Sequence, residues 1–196
     1  NDAFYTLIEF GTAGMRGLLG PGTNRINIHT IRKATQGYAN YIIAAGKEAC
    51  EKGIAIGYDN RHMSREFAFD CADLLAKNNI RSYVFESLRP TPELSFAVRH
   101  LGCFGGIMIT ASHNPKEYNG LKISFNDFGN ACGQMIQDFR IFTEKNTARL
   151  LEENNIEIIG RTVECDIKED YLALVKSSIK LGDKKVKVVV DTANGT

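Results

Sequence analysis

Gly106-Ile107-Met108-Ile109-Thr110 is a short apolar run, and Ala111-Ser112-His113-Asn114-Pro115 follows it directly. The first five residues are apolar or small at every position, which is typical of a strand buried on both faces in a parallel sheet. The next five are mostly small or polar and end in proline, so the strand is predicted to end in an exposed turn. Ligands of open α/β sheets bind beyond the carboxyl ends of the strands. This junction is therefore where chemistry is expected.

Helices and strands are predicted to alternate on the N-terminal side of this run. Apolar residues at steps of three and four predict a helix that Asn27 caps and Gly46 ends. The elements that follow are a strand at Ile54–Tyr58, a helix after the N-cap candidate Ser64 and a strand at Ser82–Phe85. A further helix is predicted with Thr91 as its cap, Pro92 at its first position and Gly102 at its end. The alternation predicts an α/β fold with a mixed, mainly parallel sheet and helices on both faces.

Beyond the exposed turn after Thr110, the chain is predicted to return into the sheet, and residues 132 to about 170 are predicted to form a scaffold with no assigned chemistry. Asn119-Gly120 is a turn pair that returns the chain into Leu121-Lys122-Ile123. Residues 132 to about 170 are predicted to be mostly helical and charged, and Tyr171–Ile179 is predicted as one more helix. The inward candidates of the charged stretch are Met135, Phe139, Phe142, Leu150 and Leu151.

Val186–Asp191 is an apolar run before a glycine-containing turn, which predicts a buried strand. Such a strand needs neighbours on both sides. We therefore expect the 196 residues to be a fragment of a longer protein. The predicted division is one domain over residues 1–180 and the truncated start of a second over residues 181–196.

The composition excludes several classes of protein. The chain has 24 Lys and Arg against 23 Asp and Glu, so it lacks the positive field of a general nucleic-acid binder. It contains no run of 18 apolar residues, and its N-terminus lacks the features of a signal peptide. The five cysteines form no C-x-x-C motif, which predicts free thiols and no zinc site. A cytoplasmic protein without a membrane partner is expected.

The loop after Thr110 offers a candidate nucleophile. Ser112 is predicted to lie on an exposed turn with the imidazole of His113, and Lys122 follows on the returning segment. A serine becomes a nucleophile or a phosphate carrier only beside a base or a cation, and these two residues are the local candidates. The alternative, a polar hairpin with a capping serine and surface lysines, stays open on these grounds.

Two further segments are candidates for anion binding. Phe10–Gly17 places three glycines around Arg16, although a flexible turn is the alternative. Gly57–Ser64 joins a strand end to a helix start, where free amide groups bind anions. For that segment we favour the simpler interpretation that Asp59 and Arg61 brace the turn. Neither segment fits the dinucleotide-binding or P-loop pattern.

The motifs Phe10–Gly17, Gly57–Ser64 and Thr110–Pro115, taken together and in this order, resemble the phosphohexomutase superfamily of phosphoglucomutases and phosphomannomutases. The Phe-Gly-Thr-Ala-Gly-Met-Arg-Gly form is most similar to the phosphoglucomutase and phosphopentomutase-like branch. The resemblance covers essentially the whole chain as the family's first domain. It implies an isomerase that moves phosphate between positions 1 and 6 of a hexose, or 1 and 5 of a pentose, through a phosphoserine and a sugar bisphosphate.

The same resemblance implies roles for individual residues. Ser112 is implied as the phosphate carrier, with Arg16 and Lys122 as the cations beside the transferring phosphate. Lys122 is also a candidate for proton transfer, and His113 is implied in positioning and hydrogen bonding. The implied substrate or phosphate contacts are Thr12, Arg16, Asn114, Lys122 and Arg61.

The family also implies Mg²⁺, a sugar bisphosphate activator, a phosphosugar substrate and further domains. Ser112 would supply one metal ligand, and an Asp-Gly-Asp-x-Asp-Arg loop would supply the others. No D-x-D-x-D pattern occurs in the chain, so those ligands are expected in the second domain, and the fragment alone is expected to have little mutase turnover.

Two alternatives stay open. One is a non-catalytic phosphosugar-binding module, and the other is a serine hydrolase that uses Ser112 and His113. The hydrolase is disfavoured because no G-x-S-x-G elbow is present and adjacent side chains on an extended turn point apart.

Overall fold

A computed structural model of the chain describes residues 2–11, 14–125, 129–130 and 162–196. The described strands form one sheet in the order β1-β2-β6-β5-β3-β4-β8, with β7 paired to β6. The strands are β1 Phe10–Gly11, β2 Gly14–Leu18, β3 Ile54–Tyr58, β4 Ser82–Phe85, β5 Gly105–Ile109, β6 Tyr118–Phe125, β7 Gly129–Asn130 and β8 Thr162–Cys165.

The sheet has a parallel half and an antiparallel half. Strands β5, β3, β4 and β8 are parallel to one another. Strand β6 runs antiparallel to β5 and to β2, and β1 and β7 are added in antiparallel pairings. The predicted mixed α/β sheet is confirmed, with its parallel pairings confined to the three predicted strands β3, β4 and β5 and to β8, which was not predicted.

The described helices cover both faces of the sheet. They are α1 Asp2–Tyr5, α2 Ile28–Ala44, α3 Lys47–Lys52, α4 Ser64–Lys77, α5 Thr91–His100 and α6 Lys168–Ser178. A Cβ on Gly105 would lie 2.2 Å from the Tyr38 hydroxyl of α2, and one on Gly106 would lie 2.9 Å from Val98 of α5. Because consecutive strand residues point to opposite faces, α2 and α5 lie on opposite sides.

The core lies where these helices meet the parallel strands. Every residue of β3 and β5 is buried, as the two apolar runs predicted. Full burial of a large aliphatic side chain such as Ile56 or Ile107 contributes about 1.5–3 kcal/mol. At the start of α2, the Asn27 side chain accepts hydrogen bonds from the backbone N–H groups of His29 and Thr30, which confirms the predicted cap.

Three local predictions near the sheet edge need correction. Ser64 is the first residue of α4 rather than its cap, because its hydroxyl donates to Asp59 at 2.8 Å. Asn119 and Gly120 lie inside β6 rather than in a turn. A Cβ on Gly120 would lie 2.3 Å from the Met15 carbonyl oxygen, so the glycine allows β2 to approach β6. Pro90, not Thr91, occupies the cap position of α5.

The C-terminal predictions have mixed outcomes. Helix α6 confirms the predicted helix and begins three residues before Tyr171. Thr162–Cys165 was expected in a helical stretch but forms β8, because its backbone pairs along the open edge of β4. The inward candidates from Met135 to Leu151 lie outside the described residues.

The strand predicted at Val186–Asp191 is not formed in the structure. This segment has no described strand beside it, and its valines are exposed, with Val189 at 98%. A strand needs a partner for its backbone hydrogen bonds, and none of the described strands supplies one here.

The described cysteines Cys50, Cys71, Cys103 and Cys165 are free thiols, as expected, and Cys132 lies outside the described residues. Burial raises the pKa of Cys71 and of Cys103 to about 12. Within the described ranges, no helix combines the length and apolar character that crossing a membrane requires.

These thiols give a test of the core. At pH 8 we expect iodoacetamide to leave Cys71 and Cys103 unmodified in the folded chain, because the thiolate is the reacting form and both are buried. The half-buried Cys50 should react faster, and all three should react once guanidinium unfolds the chain. Peptide mapping by mass spectrometry measures each rate. Equal rates at Cys50 and Cys71 in the folded chain would contradict the described packing.

Candidate active site

Ser112 lies on an exposed turn at the carboxyl ends of β3 and β5. The two strand ends are adjacent, since the backbone N–H of Asp59 donates to the carbonyl of Ile109 at 3.2 Å. Ser112 has a φ of 59°, in the left-handed region, and its N–H donates to the Thr110 hydroxyl at 2.9 Å. A non-glycine residue in this conformation costs about 1–2 kcal/mol and persists only where its surroundings hold it. The structure thus places Ser112 where the sequence predicts it.

Arg16 and Lys122 project from the same face of the sheet. Arg16 on β2 is opposite Gly120 on β6, and Lys122 on β6 is opposite Gly14 on β2. Residues that pair across strands point to one face, and so do residues two apart on a strand, which places both cations together. The opposing glycines have no side chains, so they leave room for these long ones.

The surroundings of Lys122 make it an unusual lysine. Burial lowers the pKa of its ammonium group, and the nearby charge of Arg16 lowers it further, while Asp59 acts in the opposite direction. Lys122 is therefore half-buried within electrostatic range of one cation and one carboxylate. Such a site favours an additional anion, which would offset the repulsion between the two cations.

The Ser112 turn is tied to the strand that carries Lys122. The backbone N–H of Thr110 donates to the Gly120 carbonyl at 3.0 Å, and Gly120 is the residue opposite Arg16. Arg16 on β2, Lys122 on β6 and Ser112 on the turn after β5 are therefore brought to one end of the sheet.

His113 lies closer to Ser112 than expected. Its Nδ1 is 3.4 Å from Ser112 Oγ, so the expectation that the two side chains point apart is wrong. The reason is that Ser112 is left-handed rather than extended. A separation of 3.4 Å is long for a hydrogen bond. No carboxylate among the described residues hydrogen-bonds the His113 ring, so the third group of a hydrolase triad is not found in this part of the chain.

Arg61 is the organising residue of the turn. Its side chain is only 12% exposed, and its Nε lies 3.3 Å from Asp59 Oδ2. The four remaining N–H groups of its guanidinium donate to backbone carbonyls of the loop, at 2.7–3.1 Å: those of Ser112, Asn114, Pro115 and Tyr118. This geometry does not support the expected phosphate contact of Arg61, because its donors are engaged within the protein. It agrees with the simpler interpretation that Asp59 and Arg61 brace the turn.

A second layer of polar contacts holds Asp59. Its Oδ1 accepts from the Arg61 backbone N–H at 3.0 Å and from the Ser64 hydroxyl at 2.8 Å. The buried Asn119 donates to the Ser64 hydroxyl and to the His62 carbonyl. Sequence reasoning missed Asn119 because an Asn-Gly pair is typical of a turn. The alternation of the apolar Leu121 and Ile123 with the polar Lys122 and Ser124 could have indicated a strand that includes Asn119.

The remaining predicted site residues are less defined. Asn114 is half-buried, and its backbone N–H donates to the Ala111 carbonyl at 3.1 Å. Thr12 lies outside the described residues.

The described residues include no group of three His, Cys, Asp or Glu that could hold a metal ion. Mg²⁺ requires near-octahedral oxygen coordination, and the exposed Ser112 hydroxyl supplies a single oxygen. The described side chains therefore do not by themselves fit the Mg²⁺ site that the family resemblance implies.

Comparisons with known proteins match this architecture. The family model "Phosphoglucomutase/phosphomannomutase, alpha/beta/alpha domain I" matches residues 7–149. A phosphoglucomutase of Staphylococcus epidermidis is 36% identical over 203 aligned positions, covering 100% of this chain and 36% of the relative. A phosphoglucomutase of Staphylococcus aureus is 42% identical over 166 positions, covering 85% of this chain and 27% of the relative. This chain thus spans about a third of the length of these relatives.

Solved structures agree with these matches. The crystal structure of a putative phosphomannomutase from Thermus thermophilus superposes with a TM-score of 0.73 at 26% identity, covering 89% of this chain and 37% of that one. A phosphoglucomutase/phosphomannomutase family protein from Burkholderia thailandensis shares the fold, with a TM-score of 0.69 at 23% identity, covering 88% of this chain and 36% of that one. The chain therefore belongs to the phosphoglucomutase/phosphomannomutase family, as its alpha/beta/alpha domain I.

Proposed function

We propose that Ser112 carries phosphate in a phosphosugar mutase reaction. In the first step the free hydroxyl oxygen of a sugar monophosphate bonds to the phosphorus of the phosphorylated serine. The bond from phosphorus to Ser112 Oγ breaks, the hydroxyl proton ends on Ser112 Oγ, and a sugar bisphosphate forms. The bisphosphate then returns its other phosphate. In that step Ser112 Oγ bonds to phosphorus while the bond from phosphorus to the sugar oxygen breaks, and the serine proton ends on that oxygen.

One observation carries this proposal: an exposed, left-handed Ser112 lies at the same sheet end as the Arg16 and Lys122 pair. Phosphoryl transfer depends mainly on positioning and on neutralising charge over the phosphate oxygens. Two cations that already repel each other supply that neutralisation. Lys122, with its lowered pKa, can also release a proton more readily than an ordinary lysine.

The remaining predicted residues have supporting roles in this proposal. His113, at 3.4 Å from Ser112 Oγ, orients the hydroxyl or hydrogen-bonds the phosphate. Asn114 and Thr12 stay predicted phosphate contacts. The family's Mg²⁺ would neutralise charge on the phosphate when bound, with Ser112 as one ligand and the others from outside the described residues.

The substrate and the division of the chain are also proposals. The relatives named phosphoglucomutase favour a hexose phosphate over a pentose phosphate. We propose that residues 1–180 are the first domain and that residues 181–196 begin a second, whose strands would pair with Val186–Asp191. Further domains of the whole protein would then complete the sugar site.

Intact-mass measurement after incubation with a hexose 1,6-bisphosphate tests the carrier role. We expect a phosphate adduct that peptide mapping assigns to Ser112. The Ser112→Ala variant should show none, and Ser178→Ala, at an exposed serine of α6, should retain it. Reversible binding without an adduct would instead support a binding module. Labelling of Ser112 by an acylating inhibitor would support the hydrolase alternative, in which His113, 3.4 Å from Ser112 Oγ, would act as the base.

The chain alone is expected to show little mutase turnover in a coupled assay, even where Ser112 accepts phosphate. The reason is that the described residues present cations and a carrier serine but no metal-ligand group. Robust turnover by the 196-residue chain would refute this expectation.

A further inference from the structure

We infer that Arg61 is the positioning residue of the carrier serine: it fixes the Ser112 loop for transfer without touching the phosphate. The inference rests on the proposed function for what the loop does. It rests on the geometry alone for how the loop is held.

The Arg61 side chain makes contacts along most of the Ser112 loop. The guanidinium group of Arg61 has five N–H donors in a rigid plane. Four donate hydrogen bonds to protein oxygens, and the fifth, at Nε, faces an oxygen in an ion pair at 3.3 Å. Four of these oxygens are loop carbonyls from Ser112 to Tyr118, and the fifth belongs to Asp59. A lysine has three donors on a flexible stem and cannot reproduce this pattern. The loop is thus wrapped around one planar cation.

The backbone of Ser112 is strained, and Arg61 helps to hold it in that conformation. Its φ of 59° is held at both ends, by its own N–H on Thr110 and by its carbonyl on Arg61 at 2.8 Å. Without the guanidinium, the loop would lose the stronger of these contacts, since hydrogen bonds to a charged group are about twice as strong as neutral ones. We therefore expect Ser112 to relax toward the commoner backbone regions and to move its hydroxyl.

Arg61 also determines which backbone groups of the Ser112 loop can face a phosphate. In a planar trans peptide the carbonyl and the next N–H point in opposite directions. Because the Ser112 carbonyl points to Arg61, the N–H of His113 points away from it. Arg61 therefore draws oxygen lone pairs, which would repel phosphate, to the inner side of the loop and leaves a donor on the other side.

Arg61 is itself held in place by neighbouring polar groups. Asp59 neutralises its charge, and Ser64 and Asn119 hold Asp59 in turn. These polar contacts connect the end of β3, the start of α4 and β6. Rigid elements on both sides of the loop therefore fix the guanidinium. Precise placement of a reacting group depends on such support.

The test compares Arg61→Lys with Arg65→Lys, a change at an exposed arginine four residues away whose guanidinium lies over Phe69. Hydrogen exchange should be at least about tenfold faster in Arg61→Lys at the amides of Ser112, Asn114 and Tyr118, which donate within the loop. Amides of β3 and α4 should exchange as in the unchanged chain. Arg65→Lys should leave all of them unaltered.

Phosphate uptake from a hexose 1,6-bisphosphate supplies a second measurement. We expect the maximal rate to fall at least about tenfold in Arg61→Lys, with a half-saturating concentration close to that of the unchanged chain. A raised half-saturating concentration with an unchanged maximal rate would mean that Arg61 binds phosphate, and would overturn the inference. Unchanged exchange at the three loop amides would overturn it as well.

Two further results separate the explanations. If Arg61→Lys does not fold, Asp59→Asn is the second variant. It removes the charge that faces Arg61 Nε and that also acts on Lys122, so its readout is hydrogen exchange at the three loop amides. We expect faster exchange there, and unchanged exchange would overturn the inference. If the unchanged chain takes up no phosphate, the proposed function fails and the positioning role fails with it. If the unchanged chain takes up phosphate and the variants match it in both uptake and loop exchange, the positioning role alone fails.

Discussion

Replacing Gly14 with alanine is expected to lower the free energy of unfolding by about 4 kcal/mol or more, one of the largest effects that a single change produces. A Cβ at this position would lie 1.9 Å from the Leu121 carbonyl oxygen, and the backbone has a φ of 144°, which alanine rarely adopts. The clash is with backbone rather than with a flexible side chain. Strands β2 and β6 would have to separate.

Gly20 provides a matched control. It has a φ of 151°, close to that of Gly14, but a Cβ there would meet nothing within 4 Å. Gly20→Ala should therefore cost only the backbone strain, about 1–3 kcal/mol. Urea denaturation followed by circular dichroism measures both. Equal losses in the two variants would show that the close approach of β2 and β6 adds nothing to the cost.

Lys122→Met is expected to lower the rate of phosphate uptake by Ser112 about 10²–10³-fold, the size of effect that follows the loss of one preorganised hydrogen-bond donor in an active site. Methionine keeps most of the length of the lysine side chain but removes the ammonium group beside Arg16. Lys116→Met, at an exposed lysine of the loop that carries Ser112, is the control and should change the rate little. A Lys122→Met rate within a few-fold of the control would contradict the role given to Lys122.

The lowered pKa of Lys122 adds a dependence on pH. A lysine loses its charge as pH rises through its pKa, and for Lys122 this point lies below the usual 10.5. Uptake should therefore decline at a lower pH than an ordinary lysine would allow. Lys122→Arg, which stays charged, should move the decline to higher pH. An unchanged alkaline profile in Lys122→Arg would assign the decline to another group.

The sequence was sufficient for the parts of the fold that depend on local pattern. The apolar runs of β3 and β5 and the capped helix α2 formed close to the predicted boundaries, because burial on both faces and a side-chain cap are encoded within a few residues. The position of Ser112 followed from the same reasoning, since it depends only on where a buried strand ends.

Features that depend on distant partners were harder to predict. Asn119-Gly120 is typical of a turn, yet it continues a strand because β2 packs across Gly120 and Asn119 donates to Ser64. Likewise, nothing local shows that the donors of Arg61 turn inward to loop carbonyls rather than outward to a ligand. The sequence indicated the cation, and only the fold shows its partners.

The pairing of β2 with β6 has a consequence for how the protein is made. These strands, Gly14–Leu18 and Tyr118–Phe125, are far apart in sequence, and joining them closes a long loop, which is entropically costly and slow. During synthesis, Arg16 leaves the ribosome well before Lys122 does, so a nascent chain holds only half of the anion site. We therefore expect phosphate affinity to appear late in biogenesis, as a sign that maturation of this sheet is complete.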